Sequence, residues 1–311
     1  MTQPNHRGLP TPRLSKVSLT LRVHHSYDWV VINPPVGVIG LGAMGQAVAE
    51  RLACQDVRVV ATTRDVTDRQ KFANHPSIST RPNPAEVVTE LAASGEELTV
   101  LLCVPAGERV TDAVFGPTGL LAELPPDVRL VVIDLSAVAP TVAAEMAAAL
   151  GARGHRFVDA PASGGPLGAA TGTLSIMAGG EPDDIDAAMP WLNMLGKVSR
   201  CGPPGAGQVV SVCHQVLVAS GIMAVAEVLT LAERSGVDPE IARNALIEGY
   251  QSAGTAGDSG QQGLESLARD VGIAQRLAAR AGLQSPMVDA TNTMVRKLTG
   301  LDINHAAAPA R

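Results

Sequence analysis

Val36-Gly37-Val38-Ile39-Gly40-Leu41-Gly42-Ala43-Met44-Gly45 is the stretch from which the fold of this 311-residue chain can be read. A short apolar run passes straight into three glycines spaced Gly-x-Gly-x-x-Gly. An Ala-rich segment, Gln46 to Ala53, follows, and then a second apolar run, Val57 to Ala61. The pattern reads as strand, glycine turn, helix, strand. Gly40 permits the sharp turn off the strand. Gly42 lets backbone approach a diphosphate with no Cβ in the way, and Gly45 lets the helix sit close to the strand. The helix N-terminus offers unpaired N–H groups and a positive dipole end to the phosphates. The stretch therefore predicts a dinucleotide site at Gly40, Leu41, Gly42, Ala43, Met44 and Gly45. The alternative is a glycine-rich turn that binds nothing.

Outward from that turn, apolar runs alternate with helical patterns up to about residue 200. Strands are expected at Val36–Ile39, Arg58–Ala61, Leu98–Val104, Leu130–Leu135, Arg156–Asp159, Leu174–Ala178 and Lys197–Cys201. Helices are expected between them at Ala43–Ala53, Asp65–Asn74, Pro84–Ala93, Glu108–Phe115, Thr141–Leu150 and Asp183–Met194. Such alternation implies right-handed crossovers and a largely parallel, doubly wound α/β sheet of Rossmann type. After Pro203-Pro204-Gly205 the strand signals stop. Helices are expected at 206–234, Pro239–Glu248, Leu264–Ala281 and Pro286–Leu298, with Tyr250 to Gly263 as a loop. The domain reading is a poorly ordered extension over 1–35, a dinucleotide-binding domain over 36–202, and a helical substrate and oligomerisation domain over 203–311.

Composition narrows the function classes. Hydrophobic residues make up 46% of the chain and aromatics 2%, so small aliphatic side chains must fill a globular core. A net charge of -6 argues against nucleic acid or an anionic membrane as the main partner. Cys54, Cys103, Cys201 and Cys213 show no C-x-x-C spacing, and three of them sit in apolar segments. They read as free, buried thiols of a cytoplasmic protein. The histidines form no metal-ligand spacing, so no metal is expected. Residues 1–35 lack an uninterrupted apolar stretch of signal-peptide type. From Cys201 through Ala226 there is no charged residue. Gln208, Ser211, His214, Gln215 and Ser220 interrupt that run, which favours a helix buried inside the protein over a membrane span.

Ligands of open α/β sheets bind beyond the carboxyl ends of the strands. Besides the glycine turn, that rule selects Thr62-Thr63-Arg64-Asp65, Val104-Pro105 with Ser136-Ala137, and Asp159-Ala160-Pro161-Ala162-Ser163-Gly164-Gly165. An NAD site places an acidic side chain after the second strand. Thr63 and Arg64 stand there, and an arginine pairs with a 2′-phosphate, so NADP is favoured over NAD. Asp65, one residue later, is the competing partner for a ribose diol. Ser163, Gly164 and Gly165 offer backbone N–H groups and a hydroxyl, a cradle for a carboxylate. On the long helix, Ser211, His214 and Gln215 are spaced i, i+3, i+4 and share a face, which Gln208 extends by one turn. The stripe either satisfies itself or lines a cleft.

These residues resemble the β-hydroxyacid dehydrogenase family, which includes 3-hydroxyisobutyrate dehydrogenase and tartronate semialdehyde reductase. The resemblance runs from about Val36 to Leu298. Gly40–Gly45 resembles the family's cofactor turn. Asp159–Gly165, with Gly168-Ala169 and Gly172-Thr173-Leu174, resembles its substrate signature. Gly205-Ala206-Gly207-Gln208 resembles the start of its interdomain helix, and Arg269-Asp270 its C-terminal Lys-Asp pair. The resemblance implies that Ser163, Gly164 and Gly165 hold a substrate carboxylate and that Val104, Pro105, Ser136, Ala137 and Arg269 belong to the cofactor site. It implies small 3-hydroxy acids interconverted with semialdehydes or ketones by a homodimer or homotetramer. The family's catalytic Lys corresponds to Ser211, and its following Asn pair to His214-Gln215, which resembles the L-threonate dehydrogenase branch. Ser211, His214 and Gln215 are therefore the catalytic candidates. A cofactor-binding protein with little turnover, and a reductase of imines or enones, are the alternative readings.

Overall fold

The computed structural model describes residues 34–105, 108–253 and 261–299. The expected extension over 1–35 falls outside them except for its last two residues. Six parallel strands form the body of the sheet in the order β3 (Ile78–Arg81), β2 (Val59–Thr62), β1 (Val36–Ile39), β4 (Glu97–Leu102), β5 (Arg129–Asp134), β6 (Arg156–Asp159). Beyond β6, β8 (Leu174–Gly179) runs antiparallel to β6 and to the short β7 (Ala162–Ser163). The last strand, β9 (Gly196–Gly202), is parallel to β8. The sheet is the expected Rossmann type, and its order reverses at β1, between β2 and β4.

Helices cover both faces. These are α1 (Ala43–Ala53), α2 (Val66–Gln70), α3 (Pro84–Ala92), α4 (Glu108–Phe115), α5 (Pro140–Gly151), α6 (Gly165–Thr171) and α7 (Pro182–Leu195). Alternate strand residues divide the core. Val38, Leu101, Val131 and Ile133 point to a layer with Val48 and Leu52 of α1 and Leu192 of α7. Val100, Leu102, Leu130 and Val132 point to a layer with Val87 and Leu91 of α3, Val110 of α4 and Leu150 of α5. Strands buried on both faces read as continuous apolar runs, which is why β4 and β5 are plain in the sequence.

Four elements differ from expectation. β3 was not anticipated because it is an edge strand with only Ile78 buried, so Ile78-Ser79-Thr80-Arg81 has no apolar run. β7 and α6 divide a segment that reads as a glycine turn. Ser163 pairs with Ser175 across β7 and β8, and Gly172 closes α6 in the left-handed conformation. The second helix is short: α2 ends at Gln70, and turns replace its expected last residues.

The C-terminal region is helical, with α8 (Ala206–Arg234), α9 (Pro239–Ala253), α10 (Gln261–Arg280) and α11 (Pro286–Thr299). The ends of the expected loop Tyr250 to Gly263 are helical, and residues 254–260 lie outside the described residues. The chain divides into two compact units, one ending at Cys213 and the other beginning at His214, so the division falls within α8. Inside the second unit, the Glu227 carboxylate accepts from the N–H groups of Met287 (3.0 Å) and Val288 (2.8 Å). An acidic side chain thus caps the N-terminus of α11 from a neighbouring helix.

Two expectations about burial are overturned. The apolar helix α8 is not a buried helix: Val216, Leu217, Ile222 and Met223 are 60%, 72%, 63% and 59% exposed. Its length and composition would suffice to cross a membrane, yet its polar residues and its first turn, built into the first unit, do not suit lipid. All four cysteines are free, as expected, but Cys54 and Cys213 are exposed and Cys103 and Cys201 only half-buried. Cys213 sits on α8 and Cys54 is the residue that follows α1, and the apolar composition of both stretches hides which side faces out.

Candidate active site

At the reversal point of the sheet, Gly40 donates its N–H to the Thr62 carbonyl (2.7 Å) and adopts φ 99°. A Cβ on Gly45 would lie 1.8 Å from the Gly40 carbonyl oxygen, so α1 can start this close to β1 only with glycine there. A Cβ on Gly42 would meet nothing within 4 Å. Gly42 and Ala43 are exposed, Met44 is half-buried, and Leu41 beneath them is fully buried. The N-cap of α1, Gly42, supplies no side-chain hydrogen bond, so the first N–H groups of α1 face open space. A diphosphate fits this turn. Gln46, which sequence reasoning did not single out, holds it: its amide donates to Leu41 O (2.7 Å) and to Asp68 Oδ1 (3.1 Å), joining the turn to α2.

After β2, the Arg64 side chain is 78% exposed, with only a 3.9 Å approach to Asp112. Asp65 is the N-cap of α2; its Oδ1 accepts from Thr67 N–H at 2.7 Å. That bond, more than anything else, holds the Asp65 carboxyl below its ordinary range. The two candidates for the ribose are thus unequal: Asp65 is engaged in capping, while the Arg64 guanidinium projects. Arg69 donates to the Thr63 carbonyl and fixes the backbone just before them. Thr62 Oγ1 is buried there with no partner among the described residues.

Beyond β4 and β5, the Val104 N–H donates to Ser136 Oγ (3.2 Å), and the Ser136 N–H to Asp134 Oδ1 (2.9 Å). The other carboxylate oxygen of Asp134 is buried without a partner among the described residues. Burial, with the nearby Asp159 carboxylate adding to it, pushes Asp134 up to about 7. The Cys103 thiol, desolvated and beside Asp134, is pushed up to about 12. These carboxylates sit opposite each other in register, as the last residues of β5 and β6. Ala137 is exposed next to them.

Asp159 is fully buried. Its Oδ1 accepts from Gly205 N–H (2.7 Å) and its Oδ2 from Gln208 N–H (2.9 Å), so it caps α8 from the end of β6. Burial raises its pKa, and the backbone N–H groups of the α8 start oppose that rise. The Gln208 side chain returns the connection. Its amide donates to Ser136 O (2.8 Å), and its Oε1 accepts from Val138 N–H (3.2 Å). Gln208 was expected to extend the polar stripe of the helix. It is 1% exposed and satisfied within the first unit, so the stripe divides after it. Ser211 and His214 are half-buried and Gln215 is exposed.

The structure brings Val104, Ser136, Asp159 and Gln208 into one hydrogen-bonded group at the strand ends, near the glycine turn between β1 and β4. Ser163, Gly164 and Gly165 follow β6 through Ala160 and Pro161, and the two glycines have φ 125° and 62°. Pro105 ends the described part of the β4 loop. His214, Gln215 and Arg269 belong to the second unit, where Arg269 is exposed on α10. The role of Gln46 had no signal in the sequence because its bond to Asp68 joins residues 22 positions apart, and that of Asp134 because its burial beside Asp159 comes from the pairing of β5 with β6.

A Rossmann sheet with an open glycine turn and polar strand ends defines a dinucleotide-dependent oxidoreductase fold. A family model described as the NAD binding domain of 6-phosphogluconate dehydrogenase matches residues 35–211. A second, described as NAD-binding of NADP-dependent 3-hydroxyisobutyrate dehydrogenase, matches residues 205–307. The chain is similar to 2-hydroxy-3-oxopropionate reductase of Escherichia coli, with 34% identity over 221 residues, 70% of this chain and 72% of that protein. It is 30% identical to an NAD-dependent L-serine dehydrogenase of Pseudomonas aeruginosa over 85% of this chain and 91% of that one. A solved Mycobacterium tuberculosis 3-hydroxyisobutyrate dehydrogenase with L-serine superimposes with a TM-score of 0.61 at 26% identity, covering 86% of this chain and 94% of that one. The chain belongs to the β-hydroxyacid dehydrogenase family of NAD(P)-dependent oxidoreductases.

Proposed function

We propose that this chain is an NADP-dependent oxidoreductase that interconverts a small 3-hydroxy acid with its semialdehyde or keto form. The observation that carries this reading is the open glycine turn facing the Val104–Ser136 strand ends, with the glycine-rich Asp159–Gly165 segment beside them. The similarity to proteins named for 2-hydroxy-3-oxopropionate, L-serine and 3-hydroxyisobutyrate supports a substrate of three or four carbons with a carboxylate. When bound, NADPH supplies a hydride to the substrate carbonyl carbon. The chain's own groups do the rest. Ser163, Gly164 and Gly165 hold the carboxylate through hydroxyl and backbone N–H groups. His214 donates the proton that the carbonyl oxygen takes up, as the general acid of the step. Ser211, at the position where the family resemblance implies a lysine, donates a neutral hydrogen bond to the same oxygen. Gln215 orients the substrate next to it.

The cofactor preference rests on Arg64, whose side chain projects while Asp65 caps α2. Dissociation constants should show NADPH weakened by roughly 1.5–3 kcal/mol in Arg64→Ala, the range for a hydrogen bond to a charged group, with NADH nearly unchanged. Equal weakening of both dinucleotides rules out a 2′-phosphate role for Arg64.

The exposed apolar face of α8 supports a homodimer or homotetramer in which a second copy covers that face. Light scattering at micromolar concentration should give at least twice the chain mass of 32.0 kDa, and a monomer mass contradicts the assembly.

The missing lysine sets the rate. A lysine would stabilise the developing alkoxide as well as donate a proton, whereas Ser211 supplies only a neutral hydrogen bond. General acid catalysis contributes roughly 10²–10⁴-fold. Ser211→Lys should therefore raise reduction of a small β-semialdehyde by at least about tenfold, the conservative end of that range. His214→Ala in the natural chain should remove what turnover there is. If the lysine gains nothing and the alanine loses nothing, the hydroxyacid mechanism fails and a binding protein with little turnover takes its place.

A further inference from the structure

Gln208 is more completely enclosed than any other polar residue of the α8 start, and it makes three hydrogen bonds to two different strand ends. Its backbone N–H goes to Asp159, its amide to Ser136 O and its Oε1 to Val138 N–H. Ser136 in turn accepts from the Val104 N–H. A continuous chain of hydrogen bonds therefore runs from the β4 end, through the β5 end, to the first turn of α8. Close packing fixes its geometry: a Cβ on Gly207 would lie 2.2 Å from Met177 O, and one on Gly179 would lie 2.6 Å from Asp159 Oδ1. The helix start cannot shift without breaking the group.

We propose that Gln208 is a positioning residue for the reaction: it holds the Ser136–Val138 loop, and through Ser136 the Val104 backbone, in the conformation that receives the nicotinamide half of the cofactor. The inference rests on the NADP-dependent reading given above. The glycine turn and the β2 end, which receive the adenine half in that reading, make no hydrogen bond to Gln208 among the described residues. The two halves of the cofactor should therefore respond differently when Gln208 changes.

The experiment compares NADPH with adenosine 2′,5′-bisphosphate, which carries only the adenine half. Binding of both is titrated against the full-length wild-type protein, Gln208→Leu and Gln208→Glu, with circular dichroism as the check on folding. Gln208→Leu leaves Ser136 O and Val138 N–H unmatched. It should weaken NADPH by about tenfold or more, as loss of buried hydrogen bonds does, while the bisphosphate changes by less than about twofold. Gln208→Glu guards against a leucine variant that does not fold. Desolvation in this enclosed position favours the protonated carboxyl, which can both donate to Ser136 O and accept from Val138 N–H. It should bind NADPH at pH 6 within about twofold of wild type, because both hydrogen bonds are restored. Equal loss of NADPH and bisphosphate affinity, or a glutamate variant as weak as the leucine variant at pH 6, overturns the proposal. Wild-type protein that binds the bisphosphate but gains nothing from the nicotinamide half also overturns it. Wild-type protein that binds neither ligand overturns the NADP reading itself.

Discussion

A carboxylate with no exposed surface must find hydrogen-bond donors or give up its charge. Asp159 finds them in the first turn of α8, with bonds of 2.7 and 2.9 Å from Gly205 and Gln208. The positive end of the helix is turned toward the buried charge. This interaction ties the last strand of the parallel sheet to the first turn of the helix that leaves the domain. Gly179 and Gly207 exist as glycines so that the approach is possible. The polar ends of β4 and β5 join through Gln208. Removing the Asp159 carboxylate would leave several buried N–H groups without an acceptor, a larger cost than losing a surface pair.

The same enclosure that orders these groups also sets their charge. Two carboxylates end neighbouring strands, and burial raises both. Asp159 is compensated by backbone N–H groups, whereas Asp134 has one oxygen without a partner among the described residues. Asp134 is therefore the member that takes up a proton first. A proton there removes the repulsion between the strand ends and leaves Asp159 free to act as the anionic cap of α8.

Much of this was legible in the sequence, for physical reasons that differ by element. β1, α1 and the glycine turn are legible because each glycine answers a separate steric demand, and Gly40 and Gly45 do so at contacts that no Cβ could occupy. β4 and β5 are legible because both faces are buried. β3 is not, because an edge strand needs only one apolar side chain. Asp159 stood inside a recognisable segment, but its bond to α8 joins residues 46 and 49 positions apart, which no local pattern reports. Gln208 was read as part of a helical stripe because its spacing from Ser211 allowed it; its burial against Ser136 and Val138 shows which side of the helix it serves. The exposure of α8 is not legible, because an uncharged run does not report which of its side chains are covered.

The central claim is that these strand ends serve hydride exchange with a small hydroxy acid. The most direct measurement supplies the purified protein with NADPH deuterated at C4 and a panel of three- and four-carbon oxo acids. Mass spectrometry then follows the hydroxy acid products. Transfer of one deuterium to the carbinol carbon of at least one product, slow but above the protein-free control, is the predicted result. Tight NADPH binding with no deuterium in any product would contradict the account.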